Sequence, residues 1–219
     1  MAYRRTERVN ERLAARRAEI ILAARETAAE QGLAAVQIAP VAARARIAAG
    51  TVYRYFPDKA DLLAAVLSHI QQSELAAIRA AAERAPGPLS ALAAAVVTFA
   101  VRAIERPRLI AAALTPRADL PSPAAEADFR RAIAAELEVR IDTAISAGAL
   151  PKQDAPDSAA HVLGALAEGT VGPLARPTFD SAQRRASVLA AALFALRGLG
   201  ISDARARGLI IQAPTILGP

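Results

Sequence analysis

The chain has 219 residues, 54% of them hydrophobic but only 4% aromatic, and it carries 27 Lys and Arg against 21 Asp and Glu. A chain of this length buries a real core, and the dominance of alanine over aromatic residues predicts an all-helical protein. The absence of cysteine excludes a disulfide scaffold and thiol chemistry and fits a cytoplasmic location, while no apolar run reaches the ~20 residues of a membrane span.

The excess positive charge is concentrated in the first quarter of the chain. Residues 1–60 contain 11 Arg and Lys against 6 Asp and Glu, whereas residues 61–219 contain 16 against 15. This distribution is typical of a module that binds a polyanion, joined to a near-neutral partner domain. A solubilising basic surface is the alternative interpretation.

The pattern predicts three short N-terminal helices behind a basic arm. Residues 1–9, which include Arg4, Arg5 and Arg8, have no apolar periodicity and are expected to form a mobile arm, either solvated or reaching a neighbouring DNA groove. A helix is predicted over about 10–31, with Gly32 as its stop. Shorter helices follow at about 38–45 and 49–55, separated by a tight link. The apolar stripe of the first helix comprises Leu13, Ile20, Ile21, Ala24 and Ala28.

The rest of the chain is predicted to be a larger helical domain. Pro57 ends the third helix, and Asp58 is expected to cap a helix running to about residue 84. We therefore divide the chain into a head, 1–57, and a body, 58–219, with about nine helices expected. The later helices are predicted at about 89–105, 107–114, 123–148, 155–171, 180–197 and 202–210, with a proline-rich loop at 116–123.

The segment 50–59 contains the most informative cluster of side chains. Val52 and Phe56 are four residues apart and share one buried face of a helix. Thr51, Tyr53, Arg54 and Tyr55 are therefore directed to other faces, where hydroxyls and a guanidinium suit phosphate oxygens and base edges. With the preceding short helix and turn, the segment is a helix-turn-helix candidate.

The same segment carries a family resemblance. The DNA-binding signature of the tetracycline-repressor (TetR) family closely resembles Val41-Ala42-x-x-Ala45-x-Ile47-x-x-Gly50-Thr51-Val52-Tyr53-x-Tyr55-Phe56-x-x-Lys59-x-x-Leu62-Leu63. The similarity covers about residues 15–67. It implies a homodimer whose two recognition helices enter successive major grooves of a palindromic DNA operator. It also implies a C-terminal helical domain that binds a small-molecule effector and moves the heads apart.

The resemblance assigns roles to individual residues of the head. It places Ala49, Gly50 and Tyr53 near bases or the adjacent backbone, Thr51, Tyr55 and Lys59 on phosphates, Arg54 on either, and Gln37 where a phosphate-contacting hydroxyl is common. Lys59 in a first helical turn also lies beside backbone N–H groups that can bind an anion.

Several positions depart from the family pattern. Arg46 occupies a turn position where glycine is usual; if that position is left-handed, arginine costs about 1 kcal/mol there, but it adds a charge on the DNA side. Ala48 replaces a capping serine, a loss of ~1 kcal/mol. Thr27 and Ala28 stand where larger apolar residues are common, which predicts a slimmer core for the head.

In the body, aromatic and cationic residues lie on helices that line the effector pocket in members of the family. Such a mixture suits an acidic amphiphile, for example a fatty acyl or aromatic carboxylate, or else a tight core with arginines extending outwards. His161 is expected at the dimer seam or on the effector. The candidate effector-binding residues are Phe99, Arg102, Arg106, Phe129 and His161.

The resemblance also implies dimerisation through the helices at about 155–171 and 180–197, whose small residues permit close approach. These include Gly164, Gly169, Gly172 and Ala190 to Ala192.

The leading hypothesis is a ligand-responsive transcriptional repressor. The alternatives are an architectural DNA-binding protein that no effector controls and a small helical enzyme. No Ser/His/acid set, metal cluster or phosphate-cradling glycine loop appears in the sequence. We therefore expect no catalysis, no cofactor, no metal and no membrane association.

Overall fold

A computed structural model describes the backbone of residues 2–114 and 124–213 and the side chains of residues 8–114 and 127–213. Within these residues the chain forms ten α-helices and one 3₁₀ turn, Leu33–Ala35, without strands. The all-helical prediction is confirmed, with ten helices where about nine were expected. The predicted loop at 116–123 and the side chains of Arg4 and Arg5 lie outside the described residues.

The chain divides into two compact units that do not coincide with the predicted boundary. The first unit, the head, extends to Ile70, and the second, the body, begins at Gln71. The sequence placed the boundary after residue 57, because Pro57 ends a helix. The division instead falls inside α4 (Lys59–Glu83). The helix end at Pro57 therefore does not mark the boundary between the two units.

The head contains α1 (Ala2–Gln31), α2 (Ile38–Arg44) and α3 (Ala49–Tyr55). The prediction of a mobile arm over residues 1–9 is wrong for residues 2–9, which are the first turns of α1. Ala, Arg and Glu favour helix, and no glycine or proline interrupts the chain there. Leu13, expected in the buried stripe, is 44% exposed, and the buried face of α1 begins at Ile20.

The core of the head is built from small and branched side chains. Ile20, Val41, Val52 and Phe56 are buried, and so is Ala28. Buried Thr27 satisfies its hydroxyl by donating to the Ala23 carbonyl at 2.9 Å, within its own helix. Alanine and threonine at these two positions leave α1 with little apolar volume in the core.

The helices of the body begin and end within two residues of the predicted limits. Its core helix, α5, has 14 of 18 residues buried and packs against every later helix. By length and composition α5 is apolar enough to cross a membrane, but 78% of it is buried within the protein, as befits the central helix of a bundle. The body helices are α5 (Pro88–Glu105), α6 (Pro107–Leu114), α7 (Ala124–Ser146), α8 (Ala155–Thr170), α9 (Ser181–Gly198) and α10 (Asp203–Gln212).

Candidate nucleic-acid interface

The second and third helices form a helix-turn-helix. α2 packs against both α1 and α3, and residues 45–48 connect α2 to α3. Val41 and Ala42 are buried on α2, as is Val52 on α3, and Phe56 is buried where α3 ends. The apolar side of the seven-residue α3 is thereby fixed against the head, which leaves its other sides to solvent.

The exposed surface of α3 contains most of the side chains predicted to contact DNA. Tyr53 is 53% exposed although it is a large aromatic residue. Ala49, Gly50 and Arg54 are also exposed, while Thr51 and Tyr55 are half-buried at the margins of this surface. We call the residues from Ala49 to Tyr55, except buried Val52, the recognition face.

The backbone at both ends of the connecting turn agrees with the sequence analysis. Arg46 has a φ of 56°, the left-handed conformation that favours glycine. Ala48 occupies the N-cap position of α3, and no side-chain hydrogen bond caps that helix. By contrast, α4 has the predicted cap, because the Asp61 N–H donates to Oδ1 of Asp58 at 2.8 Å.

Arg44 of α2 is held in ion pairs, unlike Arg46 in the connecting turn. The Arg44 guanidinium donates to both oxygens of Glu30, one of them at 2.9 Å, and approaches Glu26 at 3.5 Å. These contacts tie α2 to α1. The hydrogen bond from Arg44 lowers the pKa of the Glu30 carboxyl, and the same bond raises the pKa of Arg44.

The remaining cations near the recognition face are uncommitted. Arg46, Arg54 and Lys59 are exposed, and within the described part of the chain their side chains form no hydrogen bond or ion pair. Gln37 is exposed and its Nε2 donates to the Ala34 carbonyl at 3.1 Å. On α1, Arg17 lies 4.9 Å from the centre of the Phe56 ring, so it packs on the head core.

This arrangement can be compared with known proteins. The family described as bacterial regulatory proteins, tetR family, matches residues 20–66, which include the whole helix-turn-helix. The HTH-type transcriptional repressor KstR of Rhodococcus jostii is 37% identical over 102 residues, 46% of this chain and 46% of its own length. The head therefore matches the DNA-binding region of the TetR family. The chain spans about half the length of this curated relative in that comparison.

Solved structures extend the likeness beyond the matched head. A TetR-family transcriptional regulator from Pectobacterium atrosepticum is 25% identical, covers 86% of this chain and 96% of its own, and has a TM-score of 0.67. The transcriptional regulator FadR of Bacillus subtilis, solved with stearoyl-CoA, is 19% identical, with coverage of 84% and 98% and a TM-score of 0.64. The body therefore has the TetR fold as well.

Three of the five predicted effector-binding residues are buried or part-buried within the body. Phe99 on α5 and Phe129 on α7 are buried. The guanidinium of Arg102 is held by Glu74 of α4, with Nη2 donating to Oε1 at 2.9 Å and Nε donating to Oε2. Arg102 is therefore engaged in an ion pair inside the body.

Sequence reasoning missed Glu74, although a signal was present. Ile70, Glu74 and Ile78 are spaced four apart on α4, and all three are buried. A carboxylate within an apolar helical stripe predicts a buried cationic partner, because an unpaired buried charge is too costly. The same reasoning applies to Glu136 of α7, which is 8% exposed and accepts from Arg79 at 3.0 Å and from Arg140 at 2.6 Å.

The other two predicted effector residues lie outside the core. Arg106 follows the end of α5 and is exposed, and His161 is exposed on α8. His161 lines a cavity of about 230 Å³ between α8 and α9, together with Phe194. Among the described residues, no group of three or more His, Cys, Asp or Glu side chains could hold a metal ion.

A larger open groove lies beside the same two helices. Its volume is about 980 Å³, and its lining includes Val171, Leu174 and Phe194 together with Arg176 and Arg184. Phe194 is 69% exposed and Leu174 is 80% exposed. None of Phe99, Arg102, Arg106, Phe129 and His161 lines this groove.

Proposed function

We propose that this protein is a ligand-responsive transcriptional repressor that acts in the cytoplasm on a palindromic DNA operator. The observation that carries the proposal is α3, which is held in a helix-turn-helix by buried Val52 while Tyr53 and Arg54 face solvent. An exposed tyrosine offers an aromatic ring and a hydroxyl, and DNA supplies both an apolar and a hydrogen-bonding surface for them. The match of residues 20–66 to the TetR family supports the same function.

The recognition face divides into base-directed and phosphate-directed groups. Tyr53 and Arg54 are the exposed hydrogen-bonding side chains of α3, and we assign direct base readout to them. Ala49 and Gly50 are small and allow the backbone of α3 to approach the groove. Phosphate contacts set the position of the protein on the duplex. We assign them to Lys59, to Thr51 and Tyr55 at the margins of the recognition face, and to Gln37 before α2.

The protein acts as a homodimer joined through α8 and α9. The support is the unpartnered apolar surface of these helices, where Phe194 is 69% exposed beside the open groove. Burying such side chains against a second copy contributes about 1.5–3 kcal/mol for each fully covered large residue. Symmetric pairing presents two recognition faces to half-sites ~34–36 Å apart or slightly more.

The effector is an apolar or amphipathic small molecule that binds within the body. The Bacillus subtilis FadR structure contains stearoyl-CoA, and that molecule combines an acyl chain with anionic groups. In this protein Phe99 and Phe129 supply buried apolar surface. Arg102 supplies a cation three residues after Phe99 on α5. An acidic effector that reached Arg102 would compete with Glu74 for the guanidinium, which would loosen α4 from α5.

The test of this function begins with selection of a duplex from a random pool by the full-length protein. We expect a palindromic site and an affinity that falls steeply with salt. Tyr53→Ala is expected to weaken binding roughly tenfold or more, because two copies each lose a contact of about 1 kcal/mol. Lys59→Ala should weaken all duplexes to a similar degree and flatten the salt dependence.

Arg131→Ala is the matched control, since Arg131 is an exposed cation of α7 paired with Asp128. It should leave binding unchanged. Wild-type affinity in both head variants would reject the recognition face. A footprint without a preferred site, and no release by acyl or aromatic carboxylates, would instead support an architectural DNA-binding protein.

A further inference from the structure

Three helices of this protein end in the same hydrogen-bonded motif. After α2, the Arg46 N–H donates to the Ala43 carbonyl at 3.1 Å and the Ile47 N–H donates to the Ala42 carbonyl at 3.0 Å. The same pair of bonds recurs after α7, around Gly148, and after α9, around Gly200. This is the Schellman termination, which requires a left-handed residue at the first position beyond the cap.

The residue at that left-handed position differs between head and body. Gly148 and Gly200 occupy it in the body, with φ of 66° and 89°, whereas Arg46 occupies it in the head with φ of 56°. Among the described residues Arg46 is the single non-glycine with a positive φ. A Cβ in this conformation crowds the following carbonyl. The end of α2 therefore costs more free energy with arginine at this position than it would with glycine.

No hydrogen bond or ion pair of the Arg46 side chain offsets this strain within the described residues. The side chain is exposed, and within the described ranges its guanidinium makes no hydrogen bond or ion pair. Arg44, two residues earlier, shows the contrast, because it is committed to Glu30 and Glu26 on α1. The chain thus keeps a free cation at a strained position, in the turn that leads into the recognition face.

We propose that Arg46 contacts a DNA phosphate, and that the head accepts a strained helix end in order to place that charge in the turn. The inference rests on the proposed function, because the polyanion it names is the operator backbone. A guanidinium suits this task, because it is always charged and its planar fork of N–H donors matches the geometry of phosphate oxygens. Arg46 would raise affinity for all duplexes rather than select a sequence.

Four variants separate the charge of Arg46 from its strain. Arg46→Gly should raise the denaturation midpoint of the head and reduce the magnitude of the slope of log affinity against log salt by about 2 per dimer, since two phosphate contacts are lost. Arg46→Ala should reduce the slope equally without the gain in midpoint. Arg46→Lys should retain the slope. The matched control is Gly148→Arg, where a Cβ meets nothing within 4 Å.

Gly148→Arg copies the strained helix end into the body, so its midpoint should fall while its salt slope stays at the wild-type value. A wild-type protein that binds duplex while Arg46→Ala keeps the full slope would overturn the phosphate contact and leave the proposed function intact. Unchanged stability in Arg46→Gly would overturn the strain. A wild-type protein that binds no duplex would overturn this inference and the proposed function together.

Discussion

Cations near the recognition face lack protein partners within the described residues, whereas several arginines of the body are paired with buried carboxylates. In the body, Arg102 is paired with buried Glu74, and Arg79 and Arg140 converge on buried Glu136. In the head, Arg46, Arg54 and Lys59 are exposed without a protein partner in the described part of the chain. Residues 1–60 carry 11 basic against 6 acidic side chains, whereas 61–219 carry 16 against 15.

This difference shows that the location of the charged residues says more about function than the net charge of the chain does. Charge balance in the body is achieved by pairs that join α4 to α5 and α7. Such pairs hold helices in register but offer nothing to a polyanion. The unpaired cations of the head remain fully available to phosphates, because no carboxylate must be displaced first. Variants in both units test this comparison between head and body.

The largest effect is expected from the buried pair of the body. Glu74→Gln leaves the part-buried guanidinium of Arg102 without its carboxylate, and loss of one member of a buried pair costs about 3–5 kcal/mol. Denaturant unfolding at fixed protein concentration measures this loss. Arg131→Ala, which breaks an exposed pair on α7, should change stability by less than about 1 kcal/mol.

A double variant distinguishes the pair from the position. Glu74→Leu combined with Arg102→Met removes both charges and fills the space with apolar atoms, so most of the stability lost in Glu74→Gln should return. Equal stability of Glu74→Gln and Arg131→Ala would show that the pairing of Arg102 with buried Glu74 is not structural, and the contrast with the head would then be lost.

The fold was largely predictable because its signals are local. Apolar spacing and the glycine and proline stops located all the helices within two residues, apart from the start of α1. That start was missed because residues 8–19 are all exposed and the first residues lack apolar periodicity, so a run of Ala, Arg and Glu is equally compatible with a solvated arm and a solvated helix. Only intrinsic helix propensity distinguishes them.

The recognition face was also predictable, since Val52 and Phe56 fix one side of a short helix and leave the rest exposed. The body site was not. Whether Arg102 faces a ligand or a carboxylate depends on Glu74, 28 positions earlier in the chain, and pairing across that distance is set by how α4 and α5 pack. Apolar spacing describes each helix separately and cannot supply that contact.

A smaller effect is expected from helix capping, which differs from one helix start to another. In the body, Asp154 and Asp180 accept hydrogen bonds from backbone N–H groups at 2.8 and 2.7 Å at the starts of α8 and α9. In the head, Ala48 leaves α3 without a side-chain cap. Ala48→Ser should stabilise the head by ~1 kcal/mol, and Asp154→Ala should destabilise the body by a similar amount.

Thermal unfolding of both variants checks this pair of effects. Ala48→Val is a suitable control, because valine has no side-chain oxygen, is as poor an N-cap as alanine, and should give none of the gain seen with serine. A serine variant that is no more stable than the parent would mean that the start of α3 is already satisfied, and the lack of a cap would then have no energetic meaning.

The smallest effect concerns exposed pairs, where head and body should behave alike. The hydrogen bond from Arg44 lowers the pKa of Glu30 in the head, and the hydrogen bond from Arg207 lowers the pKa of Asp203 in the body. A carboxyl with a lowered folded-state pKa contributes stability above its unfolded pKa and loses it as pH falls through the folded value. Stability should therefore decrease below about pH 4.5 for Glu30 and below about pH 4 for Asp203. Glu30→Gln and Asp203→Asn should each flatten the acid limb of a stability–pH curve by lowering stability at pH 7 by the same amount, which is small because exposed pairs are well screened. An acid limb unaffected by either variant would show that these two exposed pairs do not set the acid sensitivity. A flattening by Glu30→Gln alone would mean that the tie between α1 and α2 is more than a surface pair, and the head would then contain a structural arginine of the kind that otherwise marks the body.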